Sequence, residues 1–268
     1  PKLMNNNYHT HMYLCRHAIG SVNDYVEEAI KIGLESLGMS DHAPFKELMD
    51  RSIRMDSEDL DVYLDECDQA IEKYKGQIKI YKALEIEYFP EYDHMYKKYL
   101  ETLDYLALGQ HYIPDPNSFR GLRSCYKILT IDHVKTYVDT VISAIKTKYF
   151  KFVCHPDIVL YNLLEPDERI MNECKRLIEC AVENEVPLEI NANGIRKGKV
   201  ETINGTRYLY PRLEFLELVK ELKAKVIVSS DAHDPSYLYN KEVIEAYEFA
   251  GQLGIEVEEA LEIEKHSQ

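Results

Sequence analysis

A chain of 268 residues with 45% hydrophobic content can bury one large α/β core or two ordinary ones. Its formal net charge of −15, from 47 acidic and 32 basic residues, excludes a general nucleic-acid binder, whose phosphate contacts need a basic face. The acidity serves solubility and leaves room for a small phosphorylated ligand met by local cations or metals.

Strand-like and helix-like runs alternate along the chain. Residues 8–12 predict a first strand, and because strand side chains alternate faces, His9 and His11 share one. Ser21-Val22-Asn23-Asp24 predicts a capping box and a helix to about residue 31. A short strand over 35–40 leads into Asp41-His42. Ser57 is the expected cap of an amphipathic helix reaching about residue 74, with Leu60, Leu64, Cys67 and Ile71 on one stripe. Residues 78–86 predict a third strand carrying Glu85, with Glu87 just beyond. A helix over 92–103 and a strand over 105–109 lead to Gln110-His111, followed by a longer connection containing Pro114, Pro116 and Gly121. Next come a helix over 132–148, a strand over 150–154 and His155-Pro156-Asp157. Pro166-Asp167 opens a helix to about residue 184, before a strand over 187–191 and a glycine-bearing loop over 192–210. Pro211 starts a helix to about residue 222, and a strand over 224–229 leads to Asp231 and His233. A helix over 240–250 and a charged tail complete the sequence.

Seven βα units without a biased linker predict one parallel barrel domain over 1–268, with its site at the carboxyl ends of the strands. Every histidine or acidic ligand candidate sits at such an end. His9 with His11, and Asp231 with His233, have the same-face spacing of metal ligands, and His111 and His155 join them as single strand-end imidazoles. A polynuclear centre needs a carboxylate to bridge its ions, and alternation alone does not choose between Glu85 and Glu87. Asp41, His42 and His17 offer a further site. His94, His133 and His266 fall in helical or tail patterns and are expected on the solvated surface. Six cysteines without a C-x-x-C pair predict free thiols in a reducing cytoplasmic compartment. Neither a signal peptide nor an apolar run of bilayer length is expected.

His9-Thr10-His11, Ser40-Asp41-His42, Ala83-Leu84-Glu85, Gly109-Gln110-His111, His155-Pro156-Asp157 and Ser230-Asp231-Ala232-His233 resemble, in order, the motifs of the polymerase and histidinol phosphatase (PHP) family. Leu188-Glu189-Ile190-Asn191 and Gly194-Ile195-Arg196-Lys197 further resemble its histidinol-phosphatase branch. The resemblance implies a distorted (β/α)7 TIM-like barrel holding three divalent ions of zinc, manganese or iron. In that scheme His9, His11, Glu85 and Asp231 hold one ion, and Glu85 bridges to a second completed by His111 and His155. His17, His42 and His233 hold the third, and the family pattern favours Glu85 over Glu87. The implied reaction converts L-histidinol phosphate to L-histidinol and phosphate by attack of a metal-bridging hydroxide on phosphorus, a step of histidine biosynthesis. Asp231, His233 and His42 are the candidate catalytic residues. Arg196 and Arg16 are candidate phosphate contacts, and Asp157 either meets the leaving group or caps the next turn. The alternatives are a PHP phosphoesterase acting on nucleotides or another small metabolite, an amidohydrolase-type C–N hydrolase, and a non-catalytic metal-bound scaffold. No nucleic-acid or membrane partner is expected.

Overall fold

Short apolar runs bounded by turns pair here in parallel, and the order of pairing follows the order of the chain. The computed structural model describes residues 2–45 and 50–265; His266 lies outside them. In chain order the strands are β1 (Asn6–Asn7), β2 (Ser36–His42), β3 (Lys79–Ile86), β4 (Tyr105–Leu108), β5 (Tyr112–Pro114), β6 (Leu122–Ser124), β7 (Phe150–Val153), β8 (Leu188–Asn191), β9 (Lys199–Thr202), β10 (Gly205–Tyr208) and β11 (Val226–Ser229). The helices are α1 (Val22–Ile32), α2 (Leu60–Lys73), α3 (Asp93–Thr102), α4 (Ile131–Thr147), α5 (Glu168–Glu183), α6 (Ala192–Arg196), α7 (Leu213–Leu222) and α8 (Lys241–Gln252).

Seven of the strands form one parallel sheet in the order β1-β2-β3-β4-β7-β8-β11. The two ends of the sheet meet where Thr10 pairs with Ala232 and the His11 N–H donates to the Ala232 carbonyl at 2.9 Å. The result is a distorted seven-stranded TIM-like barrel, as expected. The first strand differs from its expected span. Its ladder covers only Asn6–Asn7, because the Ser40 hydroxyl takes over the next positions, donating to the Tyr8 carbonyl (3.2 Å) and accepting from the Thr10 N–H (3.2 Å). Two antiparallel hairpins, β5 with β6 and β9 with β10, stand in stretches expected to be loops. Their strands of three or four residues are too short to display a readable period.

Two apolar layers follow from alternation on the strands. Leu84, Ile86, Leu106, Leu108 and Val153 face the helices, while Tyr81, Ala83, Tyr105, Ala107, Phe152, Cys154 and Ile227 fill the barrel interior. The final stretch is more than a charged tail. Leu261 and Ile263 pack against that interior cluster, and the Leu261 N–H donates to the Tyr8 hydroxyl at 2.9 Å. The Ser21–Asp24 capping box opens α1 as expected. A 3-10 turn over Ser57–Asp59, capped by Asp56, precedes α2, so the N-cap of α2 is Asp59 in place of Ser57. All six cysteines are free and buried. Among the described residues, no helix is long and apolar enough to cross a membrane.

Loops beyond the strands are fastened by buried ions. Arg212, 1% exposed, donates to the carbonyls of Leu160 (2.5 Å) and Leu163 (2.9 Å) and to Glu214 (2.8 Å). Replacing it unpairs a buried carbonyl and a carboxylate together. Arg212→Ala is therefore expected to lower the unfolding free energy by about 3 kcal/mol, read from the midpoint of urea unfolding at unchanged slope.

Candidate metal centre

Parallel register delivers side chains from successive strands to one layer. His42 at the end of β2 is the register partner of Glu85 on β3, and Glu85 is the partner of Ala107 on β4. His111, His155 and the pair Asp231 and His233 follow β4, β7 and β11. His9 and His11 follow β1, and His17 comes from the turn after a 3-10 segment over Tyr13–Cys15. Non-glycine residues in the left-handed region, His155 (φ 29°) and Asp231 (φ 48°), show local backbone strain at two of these positions.

Glu85 lies at the middle, 1% exposed. Its Oε1 is 2.8 Å from His9 Nε2 and 3.2 Å from His11 Nε2, while its Oε2 is 3.4 Å from His111 Nε2 and 3.3 Å from His155 Nε2. Asp231 Oδ1 completes the first set, 3.2 Å from His9 Nε2 and 2.8 Å from His11 Nε2. A tetrahedron built on bonds of ~2.0–2.1 Å to nitrogen and oxygen has edges of about 3.3 Å, so these separations suit one bound ion. The ligand atoms of His17, His42 and His233 form another group, all within 4.8 Å of one another.

The outer ring nitrogens are held as firmly as the inner ones are presented. His9 Nδ1 donates to Glu189 (2.6 Å), His11 Nδ1 to Asp41 (2.9 Å) and His111 Nδ1 to Glu87 (3.1 Å). His17 and His233 donate from Nδ1 to the carbonyls of Cys15 (3.2 Å) and Asp231 (3.0 Å). A proton kept on Nδ1 leaves the Nε2 lone pair free for a metal. Glu87 is therefore a support. Its carboxylate also takes both terminal nitrogens of buried Arg54, at 3.0 and 2.6 Å, and is held down at about 2: burial opposes its ionisation, and Arg54 and His111 outweigh it.

Charge is unevenly shared in this cluster. Burial would lower His9 and His11, yet Asp231 with Glu189, and Asp231 with Asp41, raise them well above the ordinary imidazole range. Burial would raise Glu85 and Asp231, yet His9 holds both well below the carboxylate range. His11 stacks on His42 (4.3 Å between centroids) and His233 (4.2 Å), and burial with the His11 charge keeps those two neutral. Glu85 Oε2, Asp231 Oδ1, His42 Nδ1 and His233 Nε2 are buried without a hydrogen-bond partner. Buried polar atoms left open on a shared space, from imidazoles and two carboxylates, fit divalent cations such as zinc or manganese.

A pocket of about 430 Å³ opens over these groups, walled also by Ile53, Tyr126, Asn193, Lys197 and Tyr210. Neither expected arginine lines it. Arg16 pairs with Asp56 and donates to the Arg51 carbonyl (3.1 Å). Arg196 donates to the carbonyls of Ser230 (2.6 Å) and Tyr237 (2.8 Å). The cause is α6, which occupies the start of the expected loop: Asn191 caps it by accepting from the Asn193 (2.9 Å) and Gly194 (3.2 Å) N–H groups. One residue further along, Lys197 reaches the pocket instead. Asp157 lies outside the pocket and caps no adjacent turn. It accepts from the Arg212 N–H at 2.8 Å, and burial pushes its carboxyl up to about 6. His94 is exposed, but His133 is half-buried at the start of α4, its Nδ1 accepting from the Leu129 N–H at 3.1 Å.

Sequence reasoning passed over the structural work of Glu189 and Asn191. Glu189 Oε1 accepts from the His155 N–H (2.9 Å) and from Asn191 (2.7 Å), and Asn191 also donates to Asp231 (3.0 Å). The available signal was polar alternation, Glu189 then Asn191, inside an apolar parallel strand. Tyr126 and Tyr210 carried no local signal.

The model of the PHP domain family matches residues 7–193. The histidinol-phosphatase of Bacillus subtilis (strain 168) is 26% identical over 266 residues, covering 86% of this chain and 95% of that protein. The structure of histidinol phosphate phosphatase from Lactococcus lactis, complexed with zinc, L-histidinol and phosphate, gives a TM-score of 0.68 at 16% identity. That match covers 97% of this chain and 99% of the other. A Listeria monocytogenes structure gives a TM-score of 0.72 at 17% identity over 88% of this chain and 98% of its own. Both structures share the fold.

Gly109 is where the site leaves no room for a side chain: a Cβ there would meet Glu85 Oε2 at 1.9 Å and Cδ at 2.6 Å. Gly109→Ala is expected to displace the Glu85 carboxylate and lower bound metal at least tenfold, about the loss seen when ligand orientation is disturbed. Metal analysis of the dialysed variant beside its far-ultraviolet circular dichroism checks this.

Proposed function

The chain belongs to the PHP domain family, and on that premise we propose that it is a metal-dependent histidinol-phosphate phosphatase, releasing L-histidinol and phosphate from L-histidinol phosphate. The observation that carries the reading is Glu85, whose two oxygens face two separate sets of imidazoles in one buried layer. The proposal takes residues 1–268 as one barrel domain and assigns three ions. His9, His11, Glu85 and Asp231 hold the first, Glu85, His111 and His155 the second, and His17, His42 and His233 the third. Zinc, manganese and iron all suit this mixture of imidazole and carboxylate. The six free cysteines fit a reducing cytoplasmic setting.

Divalent cations held there supply Lewis acidity, lowering the pKa of water from ~15.7 towards ~7 and neutralising phosphoryl charge. The rest is positioning by the chain itself. Glu189, Asp41 and Glu87 lock three imidazoles with their Nε2 atoms inward. Asn191 fixes the Asp231 carboxylate through its Oδ2 and leaves Oδ1 toward His9 and His11. Asp231, His42 and His233 are among the cluster residues that line the pocket and are the candidate catalytic residues, able to hold or pass a proton to the departing alcohol. The pocket takes a small phosphomonoester, and the tyrosine wall offers an apolar face to an imidazole-bearing leaving group.

Phosphate release from a panel of phosphomonoesters tests the reading. Histidinol phosphate is expected to be hydrolysed in preference to nucleotides, with activity lost on chelation and restored by zinc or manganese. Preferential release from nucleotides would transfer the same site to another substrate class. Glu85→Gln is expected to cut kcat/KM by more than about 100-fold and to lose metal while remaining folded. Full metal content and rate in that variant would remove Glu85 from the bridging role.

A further inference from the structure

We propose that Lys197 is the protein cation that receives the phosphoryl group, a reading that rests on the phosphatase activity proposed above. Among the described residues lining the pocket, it is the sole lysine or arginine. Its ammonium donates to the Tyr126 hydroxyl at 3.1 Å and lies 4.6 Å from the centre of the Tyr126 ring and 5.4 Å from that of Tyr210. Two aryl faces and a hydroxyl hold the charge over the pocket without neutralising it. Among the described residues, no carboxylate lies within ion-pair distance of it, whereas Arg16 has Asp56 and Arg196 has two backbone carbonyls.

An ammonium held this way can exchange a neutral hydroxyl for a phosphoryl oxygen, a stronger charge-assisted bond. Its single charge on a flexible stem allows the move, which a guanidinium tied to two carbonyls cannot make. The same charge orients the substrate. The alcohol end of histidinol phosphate carries an amine, and like charges repel, so the phosphoryl end is the one that turns to Lys197.

The test compares wild type, Lys197→Met and Lys197→Arg, each loaded with metal. KM and kcat are measured for the best phosphomonoester, and the binding of inorganic phosphate is titrated by calorimetry. Lys197→Met is expected to raise KM and the phosphate dissociation constant together by about 10- to 100-fold, with kcat changed less than about threefold. Lys197→Arg is expected to recover most of both. If Lys197→Met binds phosphate as wild type does, the proposal falls, even if the variant melts at a lower temperature, because then Lys197 only packs on Tyr126. Wild type that hydrolyses no phosphomonoester would overturn the phosphatase reading, while the phosphate titration would still decide the role of Lys197.

Discussion

A carboxylate buried to 1% exposure with imidazoles against both oxygens is the constraint on which the rest of this structure depends. Isolated in a protein interior, such a charge is costly enough to protonate. Here Glu85 is kept ionised chiefly by His9, and His9 and the neighbouring His11 are in turn oriented by Glu189 and Asp41. The demand for compensating positive charge propagates outward through the barrel. It reaches Arg54 behind Glu87, and it requires Gly109 because any side chain there would strike the carboxylate.

The barrel answers that demand by geometry. Parallel strands in regular register bring Glu85, His42, Asp231 and the first histidine pair to one level, although the most distant of them are separated by more than two hundred residues of sequence. Below that level the interior is apolar and aromatic, with Tyr81, Tyr105 and Phe152 packed over the crossing segment that carries Leu261 and Ile263. One end of the barrel is therefore dry and filled, and the other is polar and open. Water-excluded walls around ionised ligands strengthen each electrostatic contact within them.

The pocket wall follows a different logic from the centre it covers. Its residues come from α6 and its C-cap, the segment just after the β9–β10 hairpin, a 3-10 turn over Cys125–Lys127 and the turn at Ile53, segments free to vary while the strand ends stay in place. Tyr126, Tyr210 and Lys197 meet only because three such elements lean on one another. The division lets the cluster of imidazoles and carboxylates define what chemistry is possible and the wall define what can enter.

Local pattern carried the barrel and the cluster of imidazoles and carboxylates at its strand ends. Alternation in His9-Thr10-His11, apolar strands ending at Glu85, His111, His155 and Asp231, and capping residues such as Ser21 are properties of a few neighbouring residues, so they are legible in sequence alone. The choice between Glu85 and Glu87 was not legible from alternation, since both point to one side of a strand; it depends on Arg54, thirty-three residues from Glu87, claiming the second carboxylate. Arg196 and Lys197 show the same limit. Adjacent in sequence and equal in charge, they diverge because Asn191 starts a helix that turns one toward the Ser230 carbonyl and the other toward the pocket. Residue type and spacing determined which groups could bind metal, whereas burial and partners, which are products of long-range packing, decided which of them face the open space and which hold the others in place.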